Sequence, residues 1–218
     1  MNQNLTTYYK ERAKEYDQVY QIPEEQNDLL QSAQLFQTIF AGNSVLEIAC
    51  GTGYWTEQIS KTANSVLATD INEAVIDIAK TRNLPGNVNF KVADMNSLSA
   101  DQPFEGLFGG FIWSHILLEE LDELLDKLRN HLLPGADIVF IDSRPVKGKS
   151  HDPKMITRVD EQGNTFQTRQ LENGTTFEVL KNFPSTSFLE EKMARVATDI
   201  RVMELEYYWI ASGKIKDR

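Results

Sequence analysis

The chain reads as an α/β protein of the doubly wound class, built on a mostly parallel sheet. Three observations carry that reading. Short apolar runs alternate with helical segments between residues 45 and 142. A glycine-bearing turn, CGTG, directly follows the first run. Carboxylates, Asp70 and Asp94, close the second and third runs.

The elements follow in order. Residues 5 to 20 mix Tyr8, Tyr9, Tyr16 and Tyr20 with Lys10, Arg12 and Lys14, which predicts a helix with an aromatic face. After Pro23, Leu29, Ala33, Phe36 and Phe40 recur at helical spacing and Gly42 supplies a stop. The first strand is expected at 45–49, a helix at 54–63, a strand at 65–69 and a helix capped by Asn72 to about Lys80. Strands at 88–93 and 106–112, a leucine-rich helix at 117–133 and the strand ADIVFI complete the alternation, which reads as right-handed βαβ units. Beyond Asp142 the turn signals DEQGN and ENGT separate three segments that suit antiparallel strands. A helix at 187–196 and one last strand ending in ELEYYWIASGKI close the chain.

At 218 residues the chain suits a single domain, and no apolar run approaches the roughly 18 residues that span a bilayer. The N-terminus lacks the apolar core of a secretory signal, so a cytoplasmic location is expected. A net charge of −10 repels phosphate backbones, and nucleic acid is not expected as a partner. The single cysteine, Cys50, excludes an internal disulfide and suits a small packed residue.

In an open parallel sheet the first strand-to-helix turn, at the carboxyl edge, is the usual ligand site. Here it reads VLEIACGTGYWT, residues 45–56. Gly51 and Gly53 permit positive φ and close approach of a ligand to the backbone. A dinucleotide turn wants a third glycine, where this chain has Thr56, so that fingerprint is incomplete. Asp70, ending VLATD, is placed to accept from ribose hydroxyls, which suits a nicotinamide dinucleotide and S-adenosylmethionine alike. Asp94, Met95 and Asn96 put polar groups at the tip of the third strand.

Taken together, VLEIACGTG, ATD, VADM and FEGLFGGFIWSH resemble the class I S-adenosylmethionine-dependent methyltransferases of the small-molecule branch, and the opening YYKERAKEYD is similar to that branch's tyrosine-rich lead-in helix. The resemblance implies a seven-stranded Rossmann-like methyltransferase fold in a single domain. Its parts would be an N-terminal helical lid (1–42), a cofactor core (43–143), a β-hairpin insertion or cap after strand five (144–182) and a closing helix and strand (183–218). It implies S-adenosylmethionine as cofactor and a small-molecule acceptor methylated on O, N or S, with no metal. The Gly51–Gly53 turn would face the methionine part of the cofactor, Asp70 would bind the ribose, and Asp94 and Met95 would frame the adenine. The expected cofactor set is Tyr16, Glu47, Ala49, Gly51, Gly53, Trp55, Asp70, Ile71, Asp94, Met95 and Phe111, with Glu47 holding the glycine loop through backbone amides. Many members carry glycine where this chain has Ala49.

Methyl transfer from a sulfonium is an in-line displacement, and a base assists only if the acceptor must lose a proton. His115 is the candidate catalytic base; its plainer reading is a packing residue ahead of the leucine helix. Tyr8, Trp113, Arg144, His151 and Lys181 are candidate acceptor contacts, and Arg144, Arg169, His151 and Lys181 would suit an anionic acceptor. Tyr8, Tyr9, Tyr16, Tyr54 and Trp55 read either as aromatic faces for a sulfonium or as core. A non-catalytic S-adenosylmethionine-binding protein and, less well matched, a nicotinamide-dependent oxidoreductase stay open, as do a monomer and a homodimer.

Overall fold

The structure, a computed structural model, describes residues 3–13, 15–99, 102–148, 152–171 and 173–217. Seven strands form the main sheet: β1 (Ser44–Ile48), β2 (Ser65–Asp70), β3 (Val88–Val92), β4 (Phe104–Gly110), β5 (Leu132–Ser143), β9 (Ala197–Glu204) and β10 (Tyr208–Ile215). Their spatial order is β3-β2-β1-β4-β5-β10-β9, and β1 to β5 run parallel, while β10 is antiparallel to both its neighbours. The chain reverses direction of winding between β1 and β4, so their carboxyl ends open the crevice where ligands bind in such sheets.

Helices cover both faces: α2 (Gln26–Ile39), α3 (Tyr54–Ile59), α4 (Glu73–Ala79), α5 (Leu121–Arg129) and α6 (Thr186–Met193), with α1 (Gln3–Arg12) ahead of them. The predicted stripe of α2 is buried, Phe36 and Phe40 completely, and packs with Trp55 and Phe108. The other face is a second core of Trp113, Phe140, Trp209 and the leucines of α5. No helix among the described residues is long and apolar enough to cross a membrane.

Three expectations change. The helix expected over 5–20 is α1 followed by a separate 3-10 segment, Tyr16–Gln21. An unbroken helix would hold Cα atoms seven residues apart about 10 Å from each other; the break lets the Tyr9 and Tyr16 rings meet at 5.7 Å. The leucine-rich helix covers only 121–129, because the His131 carbonyl accepts from Phe104 at the start of β4 at 2.8 Å and draws Leu132 to Gly135 into β5. The single last strand is an antiparallel pair, β9 and β10, whose turn lacks glycine and proline; Asp28 accepts from the Tyr207 amide at 2.7 Å and holds it. The insertion is three-stranded, β6 (Ile156–Val159), β7 (Thr165–Gln170) and β8 (Thr176–Leu180), with Gly163 and Gly174 at φ +85° in the predicted turns.

Close packing of α2 on the sheet depends on Gly106, where an added Cβ would lie 2.7 Å from the buried Phe40 ring. Gly106→Ala is expected to destabilise the protein by about 1–3 kcal/mol through overpacking. Thermal unfolding measures this, and an unchanged midpoint would refute it.

Candidate active site

The turn after β1 is shaped by successive left-handed residues, Ala49 (φ 50°), Gly51 (φ 54°) and Gly53 (φ 80°). Asp70, at the end of β2, holds it: one carboxylate oxygen accepts from the Gly51 amide at 3.0 Å and the other from the Asn72 amide at 2.8 Å. Its remaining lone pairs face a cavity of about 670 Å³ lined by Ala49, Gly51, Asp70, Ile71, Asn72, Met95, Gly110 and Phe111, with Tyr9, Tyr16 and His115 at one side. Phe111 adopts φ 56°, a costly conformation for a bulky side chain, and turns its ring into the seam beside Tyr20 and Tyr208.

Glu47 does not hold the turn. It is buried beneath it, with Asp70 and the Thr56 hydroxyl as polar neighbours, and its Oε2 has no hydrogen-bond partner among the described residues. Burial pushes its carboxyl up to about 8. Gly53 is also turned away from the cavity: a Cβ there would lie 2.9 Å from Ala79 of α4, so this glycine serves helix packing.

A second cavity of about 700 Å³ adjoins the first and shares Tyr9, Tyr16, Phe111 and His115 with it. Its lining also includes Tyr8, Arg12, Glu25, Ser143, Gln167, Arg169, Lys181 and Tyr208. Lys181, on the residue after β8, reaches under the insertion to Asp142 of β5 at 2.9 Å and to Ser114 Oγ at 2.8 Å. Burial alone would raise Asp142, yet the Lys181 ammonium and the donated Ser114 amide hold it below the ordinary carboxylate range.

His115 stands where the two cavities meet, on the short 3-10 turn Trp113–His115. Its Nδ1 lies 2.5 Å from the Leu180 carbonyl, which can only accept, so Nδ1 carries the proton and Nε2 accepts from the Tyr9 hydroxyl at 2.7 Å. Burial, reinforced by Lys181, pushes its pKa down to about 3.

Of the predicted residues, the geometry brings together Tyr8, Tyr16, Ala49, Gly51, Asp70, Ile71, Met95, Phe111, His115 and Lys181. Others lie elsewhere for identifiable reasons. Trp55 is core, edge-on to Phe36 and Phe108. Trp113 packs against Phe140 and Trp209. The Asp94 carboxylate turns back to the amide and side chain of Asn96 at 2.9 and 3.2 Å, leaving Met95 to line the cavity. Arg144 faces the β9–β10 turn and pairs with Glu204 at 2.8 Å. His151 lies outside the described residues.

A family model described as a methyltransferase domain matches residues 45–135. The chain is 34% identical over 100 residues to a malonyl-[acyl-carrier protein] O-methyltransferase of Bacillus cereus, which covers 44% of this chain and 36% of that protein. It is 28% identical over 153 residues to phosphoethanolamine N-methyltransferase 1 of Triticum aestivum, covering 59% of this chain and 30% of that one. The chain thus spans about a third of the length of these curated relatives. Over almost its whole length it superposes on DhpI in complex with SAH, with a TM-score of 0.78, 26% identity, and coverage of 99% of this chain and 97% of that one. These findings are consistent with the class I S-adenosylmethionine-dependent methyltransferase superfamily that the sequence resembles.

Within that superfamily's fold, several residues of this site escape sequence pattern. Arg12 is legible only as a helix charge, and Glu25 and Asp142 as acids at element ends. Tyr9 stood among the candidate aromatics, but its bond to His115 joins residues 106 positions apart.

The isolated carboxyl of Glu47 gives a pH signature. A folded-state pKa raised from 4.5 to about 8 means stability fully present below about pH 4.5 and lost as pH rises toward 8. In the ligand-free protein Glu47→Gln is expected to gain on the wild type by about 1.4 kcal/mol per pH unit across that window, as an upper bound. Denaturant unfolding of both at pH 5 and pH 8 checks it; a gap that does not grow with pH counts against it.

Proposed function

We propose that this protein transfers a methyl group from S-adenosylmethionine to an anionic small molecule held in the second cavity. The observation that carries the reading is the pair of adjoining cavities: one built on the glycine turn and Asp70, the other lined by Arg12, Arg169 and Lys181. Bound in the first cavity, S-adenosylmethionine supplies an electrophilic methyl on a sulfonium, whose carbon–sulfur bond breaks toward sulfur as the acceptor's bond to carbon forms.

The chain's own residues fit that cofactor. Asp70 keeps lone pairs for ribose hydroxyls after satisfying the Gly51 and Asn72 amides. The orphaned Glu47 oxygen beneath the turn suits the cofactor's ammonium, which would lower the carboxyl's raised pKa. Tyr9, Tyr16 and Phe111 offer aromatic surface to a sulfonium where the cavities meet. Met95 supplies the apolar wall expected beside an adenine.

Transfer then depends on orientation and exclusion of water. The segment 16–21 serves as the lid: Asp17 accepts from Thr52 of the glycine turn and pairs with Arg82 at 2.6 Å. Arg82 in turn donates to the Thr52 carbonyl at 2.6 Å, tying lid to turn. His115 acts as a neutral ring that positions the Tyr9 hydroxyl, since a pKa near 3 and an occupied Nε2 make it a poor base at neutral pH. Both cavities are lined by one chain, so the reading requires no second copy. Relatives named as O- and N-methyltransferases leave the acceptor atom, oxygen, nitrogen or sulfur, open.

Calorimetry is expected to detect binding of S-adenosylmethionine and S-adenosylhomocysteine, and Asp70→Ala to weaken both about tenfold or more. No binding at millimolar ligand would overturn the reading. Release of labelled methyl to anionic acceptors separates an enzyme from a sensor, which would bind without transfer.

The pH profile offers a further check. Because His115 stays neutral, its titration contributes no inflection to the transfer rate between about pH 5 and about pH 7.5. A limb near pH 6.5 in the wild type that His115→Asn abolishes would restore the histidine as base.

A further inference from the structure

The insertion presents one face of its sheet to the second cavity. Side chains two apart on a strand share a face, and so do directly paired residues of neighbouring strands. Gln167 and Arg169 of β7 are two apart, as are Val179 of β8 and Lys181 just after it, and Gln167 pairs with Val179 across the β7–β8 ladder. All four line the cavity, and Gln167, Val179 and Lys181 are buried.

The neighbours of Gln167 on that face are satisfied by the protein. Val179 is apolar and packs with Tyr8. Lys181 is held by Asp142 and the Ser114 hydroxyl at 2.9 and 2.8 Å. Arg169 donates to Gln167 Oε1 at 2.5 Å. Gln167 itself is different: the residue is 0% exposed, yet its Nε2 has no hydrogen-bond partner among the described residues.

The orientation of that amide follows from chemistry. A guanidinium carries donors only, so the Gln167 atom that meets Arg169 is the carbonyl oxygen, and the nitrogen is left at the other branch. Turning the amide over would set donor against donor. Leaving a buried donor without an acceptor costs about 1–3 kcal/mol, and buried polar groups nearly always have a partner. On a face that walls a cavity, that partner comes from whatever fills the cavity.

An N–H donor needs a lone pair, which an ammonium group lacks and an oxygen supplies. An oxyanion drawn in by Arg12 and Arg169 brings several such oxygens, and a hydrogen bond to a charged oxygen is stronger than one to a neutral one. Resting on the functional reading above, we propose that Gln167 is a specificity-determining residue of the acceptor site, its Nε2 donating to an oxygen of the acceptor's anionic group, which seats against the insertion beside Arg169. The Arg169 bond to Oε1 then serves to aim the amide, and the neutral donor adds direction to a site whose charge comes from the arginines.

The test uses the full chain saturated with S-adenosylhomocysteine, with inorganic phosphate and acetate as probes. In calorimetric titrations the wild type is expected to bind at least one of them, and Gln167→Met, which keeps the length of the side chain and removes the amide, to bind it about tenfold less tightly. In nitrogen–proton correlation spectra the Gln167 side-chain amide, identified by its loss in Gln167→Met, is expected to show one proton moving downfield as the probe is added. A purely structural glutamine would give no such shift. Gln167→Glu, which keeps an oxygen for Arg169 and lacks the donor, replaces Gln167→Met in both comparisons if the latter fails to fold. Affinity unchanged by the substitution, or an amide proton that does not move downfield, would overturn the proposal and leave the functional reading standing. Failure of the wild type to bind S-adenosylhomocysteine, or either oxyanion, would instead overturn that reading and the proposal with it.

Discussion

The buried ion pair between Lys181 and Asp142 is the constraint on which the site depends. Both side chains lie almost entirely out of water, one at the end of the inserted sheet and the other at the carboxyl end of β5. Removing one partner of such a pair typically costs about 3–5 kcal/mol, because the other charge is left unmatched. The pair helps pin the insertion to the core, as do the bonds from the Leu118 amide to Asn164 and from Asn164 to Glu119. Around it the Ser114 carbonyl accepts from the Asn182 amide, the Asn182 side chain donates to Ile116, and the His115 ring donates to Leu180. Without this seam the insertion would not wall the second cavity, and His115 would face solvent with its ring unoriented.

A parallel arrangement secures the first cavity. Asp70 accepts from the Gly51 amide of a turn that bends through left-handed conformations, and Arg82 ties that turn to the segment carrying Tyr16. The two non-glycine residues held at positive φ in this region, Ala49 and Phe111, both line the cavity, which is where backbone strain is expected to be retained in proteins. The tyrosine-bearing N-terminal segment is thus fixed through Asp17 to the glycine turn, through Tyr9 to His115 and through Tyr8 to Phe177 of the insertion. It joins both halves of the site, and the chemistry proposed here depends on that junction being dry and aromatic.

Much of this was readable before any coordinates. The alternation of strands and helices, the stripe Leu29, Ala33, Phe36 and Phe40, and the turn glycines of the insertion are local signals, because periodicity and positive φ are properties of neighbouring residues. Asp70, Ala49 and Gly51 were legible for the same reason: a carboxylate or a glycine at a strand end is placed by the strand itself. Trp55, Trp113 and Arg144 were misplaced because an aromatic or basic side chain near a turn can face either cavity or core, and only its distant neighbours decide.

By itself the sequence determined the doubly wound sheet, the crevice at its carboxyl edge and the resemblance to the superfamily, since each is encoded in short stretches with characteristic spacing. Tertiary structure alone decided that Asp70 rather than Glu47 holds the turn, that His115 is neutral and bound to Tyr9, and that Arg12 and Glu25 line one cavity. These outcomes depend on contacts between residues far apart in the chain and on the burial those contacts produce. Burial sets the charge state of a histidine or a glutamate, and no local pattern of residues carries it.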